Sequence, residues 1–289
     1  MDKTQASSSV VKHNHYFTVS DDVALNYLDF GSGRSIVMIP GWSQTAEMFR
    51  EQLLPLSKHF RCIAIDMRGH GESQNNGQGF TIDRLATDVN EVIAGLDLEK
   101  PILLGHSMGA SVLWRYIEKF GSSNVSKLVF VDQAPVLLQQ PDWSTEQCQQ
   151  FGAIFDKTAL EAACSSLIDP DAANAATINL LQSMFSEDFP RDQFDWVVTE
   201  NLKFERASAA ALLRDHCHHD WRSVITRIDI PSLVVGGKAS LMPWQSQQWL
   251  SENIPNAKLA LFEADEGGQH FMFLENPTLF NKIVFNFCQ

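Results

Sequence analysis

One short motif restricts the possible folds of this chain more than any other feature. Residues 105–109 read Gly-His-Ser-Met-Gly, which fits the pattern Gly-x-Ser-x-Gly. The apolar run 101–104 before the motif is typical of a strand, and residues 110–117 after it carry apolar side chains at helical spacing. A strand, a tight turn and a helix are therefore expected to meet at Ser107, whose hydroxyl would be pushed out of the backbone. Glycines at both ends of the motif remove side chains that would clash between the strand and the helix.

Strand and helix signals alternate on both sides of this motif. The predicted strands are 16–19, 23–30, 35–39, 62–65, 101–104, 127–131, 232–235 and 258–262. The predicted helices outside the middle of the chain are 46–56, 82–96 (with Thr81 as N-cap), 110–117, 244–254 and 277–287. Strands that alternate with helices predict an α/β fold with a mostly parallel sheet and right-handed crossovers.

The middle of the chain has a different texture. Over residues 136–227 strand-like runs vanish, and helical patches rich in Gln, Ala, Asp and Phe replace them. This segment predicts a helical insertion between two strands of the sheet. The expected organisation is a flexible N-terminal tail over 1–15, a core made of 16–135 and 228–289, and the insertion over 136–227.

Composition argues against nucleic acids and membranes as binding partners. The 289 residues carry a formal net charge of -13, and no Lys/Arg cluster offsets it, which disfavours nucleic acid and anionic membrane surfaces. No apolar run approaches the ~20 residues needed to span a bilayer. The first 16 residues are polar and lack the apolar segment of a secretory signal. Five scattered cysteines are typical of reduced thiols, so we expect a cytoplasmic protein.

Four segments carry a resemblance to the α/β-hydrolase superfamily over residues 16–289. They are 39–42 (Ile-Pro-Gly-Trp), the turn 66–73, the motif around Ser107, and 267–271 (Gly-Gly-Gln-His-Phe). The chain is similar to the branch of small microbial esterases, lactonases, carbon–carbon hydrolases and cofactor-free haloperoxidases. The resemblance implies an eight-stranded, mostly parallel sheet flanked by helices, with a helical cap inserted after the sixth strand. It also implies chemistry without a cofactor or metal.

The same resemblance assigns the nucleophile and the base. A serine hydroxyl is a weak nucleophile unless a base removes its proton, so Ser107 requires a partner. His270 follows a predicted strand and a Gly-Gly turn, which lets the loop bring the imidazole back over the sheet edge. Ser107 is therefore the expected nucleophile and His270 the expected general base.

The sequence indicates the position of the catalytic acid less directly. The family usually places it after the seventh strand, but residues 236–243 contain no carboxylate, and Ser240 occupies the expected position. Some family members carry the acid at the end of the sixth strand, which here is Asp132. Strand ends at the carboxyl edge of an α/β sheet present functional side chains. Asp132 is the expected acid, and Asp220 and Asp265 remain alternatives.

Two backbone N–H groups are expected to stabilise the developing oxyanion. One belongs to Met108, which directly follows the nucleophile, and the other to Trp42 after the third strand. Trp42 is also expected to form a wall of the pocket. His106 is a further pocket residue, although its side chain is expected to point away from that of Ser107. Trp143 and other aromatic residues of the insertion predict a small-molecule substrate with a hydrophobic body.

These residues predict a serine hydrolase that cleaves a small, largely apolar carboxylic ester or lactone through an acyl-enzyme. Cofactor-free dioxygenases of heterocyclic substrates are similar in the Pro-Gly-Trp segment and in the acid at the strand end. The chain departs from them, because it has Ser43-Gln44 where they carry a histidine soon after the tryptophan, and Met108 where they carry a histidine after the nucleophile. A non-catalytic ligand receptor on the same fold is the third interpretation.

A crowded polar segment, 215–220, contains ligand-type residues. Its spacing is not that of a zinc site, and we expect a polar helix end.

Overall fold

A single eight-stranded sheet organises the computed structural model, which describes residues 14–289. Its strand order is β1-β2-β4-β3-β5-β6-β7-β8. The strands are β1 (Asn14–Thr18), β2 (Ala24–Phe30), β3 (Ser35–Ile39), β4 (Arg61–Ile65), β5 (Ile102–His106), β6 (Lys127–Val131), β7 (Ser232–Gly237) and β8 (Ala257–Phe262). The pairs β1–β2 and β2–β4 are antiparallel, whereas all later neighbours run parallel. The predicted eight-stranded, mostly parallel sheet is confirmed.

Helices cover the sheet and fill the insertion. Six α-helices belong to the core: α1 (Arg50–Leu56), α2 (Ile82–Gly95), α3 (Met108–Phe120), α10 (Trp244–Asn253), α11 (Met272–Glu275) and α12 (Pro277–Cys288). Six others lie between β6 and β7: α4 (Thr145–Phe151), α5 (Lys157–Ile168), α6 (Ala173–Gln182), α7 (Arg191–Asn201), α8 (Arg206–Cys217) and α9 (Arg222–Ile225). We call residues 136–227, which contain α4–α9, the cap. Across residues 14–289, no helix combines the length and apolar character that a membrane crossing requires.

The central strands are apolar on both faces because helices cover both sides of the sheet. All five residues of β5 are buried. Leu103 belongs to one core cluster, while its neighbours Ile102 and Leu104 belong to the other. This alternation follows from the two-residue period of a strand. The register pairs Gly105 of β5 with Ile39 of β3 and with Phe130 of β6, so the carboxyl ends of three strands meet at one edge.

Two predictions about local structure need correction. The sequence predicted a flexible tail over residues 1–15. Residues 1–13 of it lie outside the described part of the chain, whereas Asn14 and His15 belong to β1. They are ordered because the strand pairs with β2, and the His15 ring stacks on Tyr27 with 5.3 Å between ring centroids. The predicted helix 46–56 is divided into a 3-10 turn, Ala46–Phe49, and α1.

Candidate active site

Ser107 stands in a strained turn between β5 and α3. Its φ of 51° and ψ of -125° lie in a region that L-residues rarely adopt, which costs about 1–3 kcal/mol. The Ser107 N–H donates to the carbonyl of Val131 at 2.8 Å, which ties the turn to the end of β6. Only 8% of Ser107 is exposed. The hydroxyl is thus held at the carboxyl edge of the sheet, away from bulk water.

The two glycines of the motif allow β5 and α3 to pack this closely. A Cβ atom added to Gly105 would lie 2.5 Å from the carbonyl carbon of Gly109. A Cβ added to Gly109 would lie 2.2 Å from the carbonyl oxygen of Ile39, in the neighbouring strand β3. Both clashes involve backbone that cannot move aside. The steric reason given by the sequence for these glycines is therefore confirmed.

Asp132 and His270 form a buried pair beside this turn. Asp132 directly follows β6, and its Oδ2 lies 2.7 Å from Nδ1 of His270. Both side chains are almost completely buried. The backbone N–H of His270 donates to the carbonyl of Met184 in the cap at 3.2 Å. A carboxylate that accepts the Nδ1 proton leaves the lone pair on Nε2, which is the tautomer that a general base requires.

The other two candidate acids lie elsewhere. Asp220 forms a salt bridge with Arg222 at 2.6 Å, and Asp265 is exposed in a short 3-10 turn, Ala264–Glu266. The carboxylate that contacts the His270 ring therefore belongs to Asp132.

Ser240 contributes to the position of this carboxylate. Its hydroxyl donates to Oδ2 of Asp132, the same oxygen that contacts His270. The N–H of Gly237 donates to Oδ1 at 3.2 Å, and the N–H of Met242 donates to the Ser240 hydroxyl oxygen at 3.1 Å. The end of β7 and the loop after it thus supply hydrogen-bond donors to the Asp132 carboxylate.

Ser107 and His270 are not joined by a hydrogen bond in the described part of the chain. Catalytic hydrogen bonds are often long in unliganded enzymes and tighten when substrate binds. The shared edge of β5 and β6 holds Ser107 beside the Asp132–His270 pair, with no hydrogen bond from Ser107 to the His270 ring among the described residues.

The two expected oxyanion donors belong to helix α3 and to the loop after β3. Met108 is the first residue of α3, so its N–H has no acceptor within the helix. Trp42 lies in the loop after β3, whose shape is fixed by Gln44, because Oε1 of Gln44 accepts the N–H of Gly41 at 3.0 Å. The Trp42 indole is buried, and its Nε1–H donates to the carbonyl of Ala209 in α8 at 2.8 Å.

Comparison with known proteins identifies the family. Residues 34–277 match the family model described as alpha/beta hydrolase fold. The chain belongs to the α/β-hydrolase superfamily. It is 30% identical over 281 residues to the AB hydrolase superfamily protein YisY of Bacillus subtilis. The aligned residues cover 94% of this chain and 98% of that protein. It is 28% identical to a putative non-heme chloroperoxidase of Synechocystis, over 95% of this chain and 99% of the relative.

Solved structures agree with this membership. An esterase from Exiguobacterium antarcticum superposes with a TM-score of 0.85 at 26% identity, over 94% of this chain and 98% of that one. The chain is thus an enzyme of the α/β-hydrolase superfamily, in the branch that contains esterases and haloperoxidases.

His106 braces the site of this α/β hydrolase and is fully buried, which differs from the pocket position expected from the sequence. Its Nε2–H donates to the carbonyl of His270 at 3.0 Å, and its Nδ1 lies 3.1 Å from Oε1 of Gln44. Burial lowers the pKa of His106 well below its usual value. One side chain therefore connects the loop that carries His270 to the loop that carries Gln44 and Trp42. The alternation of side chains along β5 is the signal that could have indicated this role.

Trp143 packs in another part of the cap. Its half-buried ring lies 5.1 Å from the ring of Phe151 and 5.1 Å from the guanidinium carbon of Arg222. The role of Trp143 in the substrate pocket stays a prediction.

The polar segment 215–220 divides its side chains among different neighbours. Asp215 accepts the N–H of Ile82 at 2.7 Å at the start of α2 and lies 3.3 Å from Nε2 of His219. His216 points elsewhere, toward Ser111 of α3 at 3.0 Å. Within residues 14–289, no three His, Cys, Asp or Glu side chains are grouped as metal ligands would be.

Proposed function

We propose that this enzyme is a serine hydrolase that cleaves a small, largely apolar carboxylic ester or lactone with Ser107, His270 and Asp132. The observation that supports it most is the 2.7 Å contact between Asp132 and His270 beside the strained Ser107 turn. The similarity to an esterase of Exiguobacterium antarcticum supports carboxylic esters as the substrate class.

The proposed reaction has two halves. Nε2 of His270 accepts the proton of the Ser107 hydroxyl while Oγ attacks the carbonyl carbon, and Asp132 stabilises the imidazolium. The N–H groups of Met108 and Trp42 hold the oxyanion. His270 then protonates the leaving oxygen, and an acyl group remains on Ser107. In the second half, His270 takes a proton from a water molecule that attacks the acyl carbon. His270 then returns this proton to Oγ of Ser107 as the bond between the acyl carbon and Oγ breaks, which releases the carboxylic acid and the free enzyme.

The test is the activity of Ser107→Ala on short-chain 4-nitrophenyl esters. We expect kcat to fall at least about 10³-fold, because the nucleophile of the covalent route is gone. Ser123→Ala, at an exposed serine, is the matched control and should retain the wild-type rate. An unchanged rate in Ser107→Ala would overturn the proposal.

A second function is favoured by one observation. Asp132 and His270 are joined tightly, whereas the Ser107 hydroxyl has no hydrogen bond to that ring within residues 14–289. The pair alone would serve as a base dyad for a cofactor-free dioxygenase that cleaves a heteroaromatic ring. Oxygen uptake with a hydroxyquinolone tests this alternative. Uptake that persists in Ser107→Ala and is lost in His270→Ala would favour the dioxygenase.

A further inference from the structure

The backbone N–H of Trp42 is aimed by a tight turn after β3. The N–H of Gln44 donates to the carbonyl of Gly41 at 3.2 Å, which closes a turn over residues 41–44. In a trans peptide the C=O and N–H groups point in opposite directions, so the Trp42 N–H points away from this hydrogen bond. It donates to no acceptor among the described residues and is therefore available for an oxyanion.

This turn carries a serine at a position that favours glycine. Ser43 has a φ of 59°, whereas Trp42 before it has a negative φ, and this combination is that of a type II turn. The third residue of such a turn is usually glycine or asparagine, because other side chains are strained at positive φ. Ser43 is also only 1% exposed. A buried serine in a strained position calls for an interaction that its hydroxyl supplies.

The Ser43 hydroxyl bonds to the cap both as a donor and as an acceptor. It donates to the carbonyl of Asn201 at 2.9 Å and accepts a hydrogen bond from Nη2 of Arg206 at 2.7 Å. Both functions of a hydroxyl group are thus used. Asn201 is the last residue of α7, and Arg206 is the first residue of α8. The link between these two helices therefore holds the turn that carries the Trp42 N–H.

Arg206 is an unexpected group for this contact. Its guanidinium is half-buried and forms no salt bridge among the described residues. All of its hydrogen bonds go to neutral oxygens, which belong to Ser43, Thr177, Asn201 and Phe204. Burial lowers the pKa of Arg206 to about 10. Removing a cation from water without an ionic partner is costly, so stability alone does not explain this arginine.

We propose that Ser43 and Arg206 are positioning residues for the oxyanion donor. Arg206 acts through the Ser43 hydroxyl, which holds residues 41–44 in the turn that aims the Trp42 N–H. The inference rests on the proposed hydrolase function, in which that N–H stabilises the developing charge. It adds that the cap, through the link between α7 and α8, sets the geometry of one half of the oxyanion hole. The donor is then in place before substrate binds, as electrostatic stabilisation of a transition state requires.

The first test compares Ser43→Ala with Ser43→Gly on 4-nitrophenyl butanoate. Alanine removes the hydroxyl but keeps the strain, so the turn relaxes, and we expect kcat to fall at least about tenfold while KM changes less than about twofold. Glycine also lacks the hydroxyl but suits the positive φ, so Ser43→Gly should recover most of the wild-type kcat. A role in packing alone predicts the reverse order, because glycine leaves the larger void. That order, or a wild-type kcat in Ser43→Ala, would overturn the inference.

The second test asks whether Arg206 acts through this turn. Arg206→Met keeps most of the side-chain length, and we expect kcat to fall about fivefold or more. Adding Ser43→Gly should recover most of that loss, because the turn no longer depends on the hydroxyl. Arg214→Met, at a salt-bridged arginine of α8, is the matched control and should keep the wild-type kcat. A wild-type kcat in Arg206→Met, or no recovery in the double variant, would overturn the role of Arg206. Urea unfolding verifies that each variant is folded under the assay conditions.

The inference and the proposed function fail in different ways. If Ser107→Ala cleaves esters at the wild-type rate, and adding Ser43→Ala still slows that cleavage, the turn positions the donor and the covalent mechanism fails. If Ser107→Ala is inactive but Ser43→Ala and Arg206→Met both keep the wild-type kcat, the positioning role fails alone.

Discussion

At the scale of single residues, the site depends on how Asp132 is held. Its carboxylate accepts hydrogen bonds from His270, from the N–H of Gly237 and from the Ser240 hydroxyl. Hydrogen bonds to an ionised acceptor are roughly twice as strong as those between neutral groups. The Asp132 carboxylate therefore has one fixed orientation, and it sets the tautomer of the His270 ring.

Replacing the acid should nearly abolish activity. In Asp132→Asn the side chain no longer stabilises the imidazolium and favours the wrong His270 tautomer, so we expect kcat to fall by about 10⁴. Steady-state ester hydrolysis measures this loss. Asp265→Asn, at the exposed acid of the 3-10 turn, is the control and should match the wild type. A large loss in Asp265→Asn with normal activity in Asp132→Asn would contradict the assignment.

Ser240→Ala should have a smaller effect. It removes one donor from Oδ2 of Asp132 while the contact with His270 remains, and a hydrogen bond to a charged group contributes about 1.5–3 kcal/mol. We expect kcat/KM to fall about tenfold or somewhat more. Ser240→Thr keeps the hydroxyl and should restore most of the activity, which a role in packing alone would not require. Equal activity in Ser240→Ala and the wild type would show that Ser240 does not position the acid.

At the scale of elements, the strands were the most predictable part of the molecule. The predicted strands 35–39 and 127–131 coincide with β3 and β6, because both are short apolar runs bounded by turn residues. Thr81 caps α2 as expected, with its hydroxyl accepting the N–H of Arg84 at 3.3 Å. The division of 46–56 into a 3-10 turn and a helix depends on Asp66, whose carboxylate binds the N–H of Ala46 from outside the element.

The turn at Ser107 should tolerate no side chain at Gly109. In Gly109→Ala the new Cβ would meet the backbone of Ile39, so strand β3 or helix α3 must move. We expect a loss of at least about 3 kcal/mol in the free energy of unfolding, or failure to fold, since overpacking alone costs about 1–3 kcal/mol. Urea denaturation measures it.

Gly121→Ala is the matched control for that experiment. Gly121 has a φ of 77° and a ψ of 179°, a backbone conformation that residues other than glycine rarely adopt, but it has open space around its Cα, so alanine there should cost only backbone strain of about 1–3 kcal/mol. Equal stability losses in the two variants would contradict the steric role of Gly109.

At the scale of the whole molecule, long-range packing is what the sequence alone could not predict. Asp132 and His270 are 138 residues apart in sequence, and only the family resemblance predicted that they lie side by side. The burial of His106 and the hydrogen bond from the Trp42 indole to α8 depend on how the cap and the core face each other. Those contacts join distant segments, for which local periodicity carries no information.

Acid should destabilise the whole fold through its buried neutral histidines. Burial lowers the pKa of His70 to about 4, and His216 and His106 are also lowered. Between about pH 6.5 and pH 4 the unfolded chain binds a proton at His70 that the folded protein does not, so stability present above pH 6.5 is lost as the pH falls. His70 alone should account for roughly 3 kcal/mol of that loss.

Urea unfolding at several pH values measures this linkage. His70→Gln should reduce the loss of stability between about pH 7 and pH 4.5, whereas His218→Asn, at an exposed histidine, should leave it unchanged. A wild-type slope retained in His70→Gln would show that this histidine does not contribute to acid unfolding.

The central claim, that Ser107 carries an acyl group during turnover, is tested most directly by rapid-quench mass spectrometry with 4-nitrophenyl acetate. A covalent mechanism predicts one acetyl group on the peptide that contains Ser107, formed as fast as 4-nitrophenol is released, and none in Ser107→Ala. Sustained turnover with no acetyl group on that peptide, or turnover at the wild-type rate in Ser107→Ala, would contradict it.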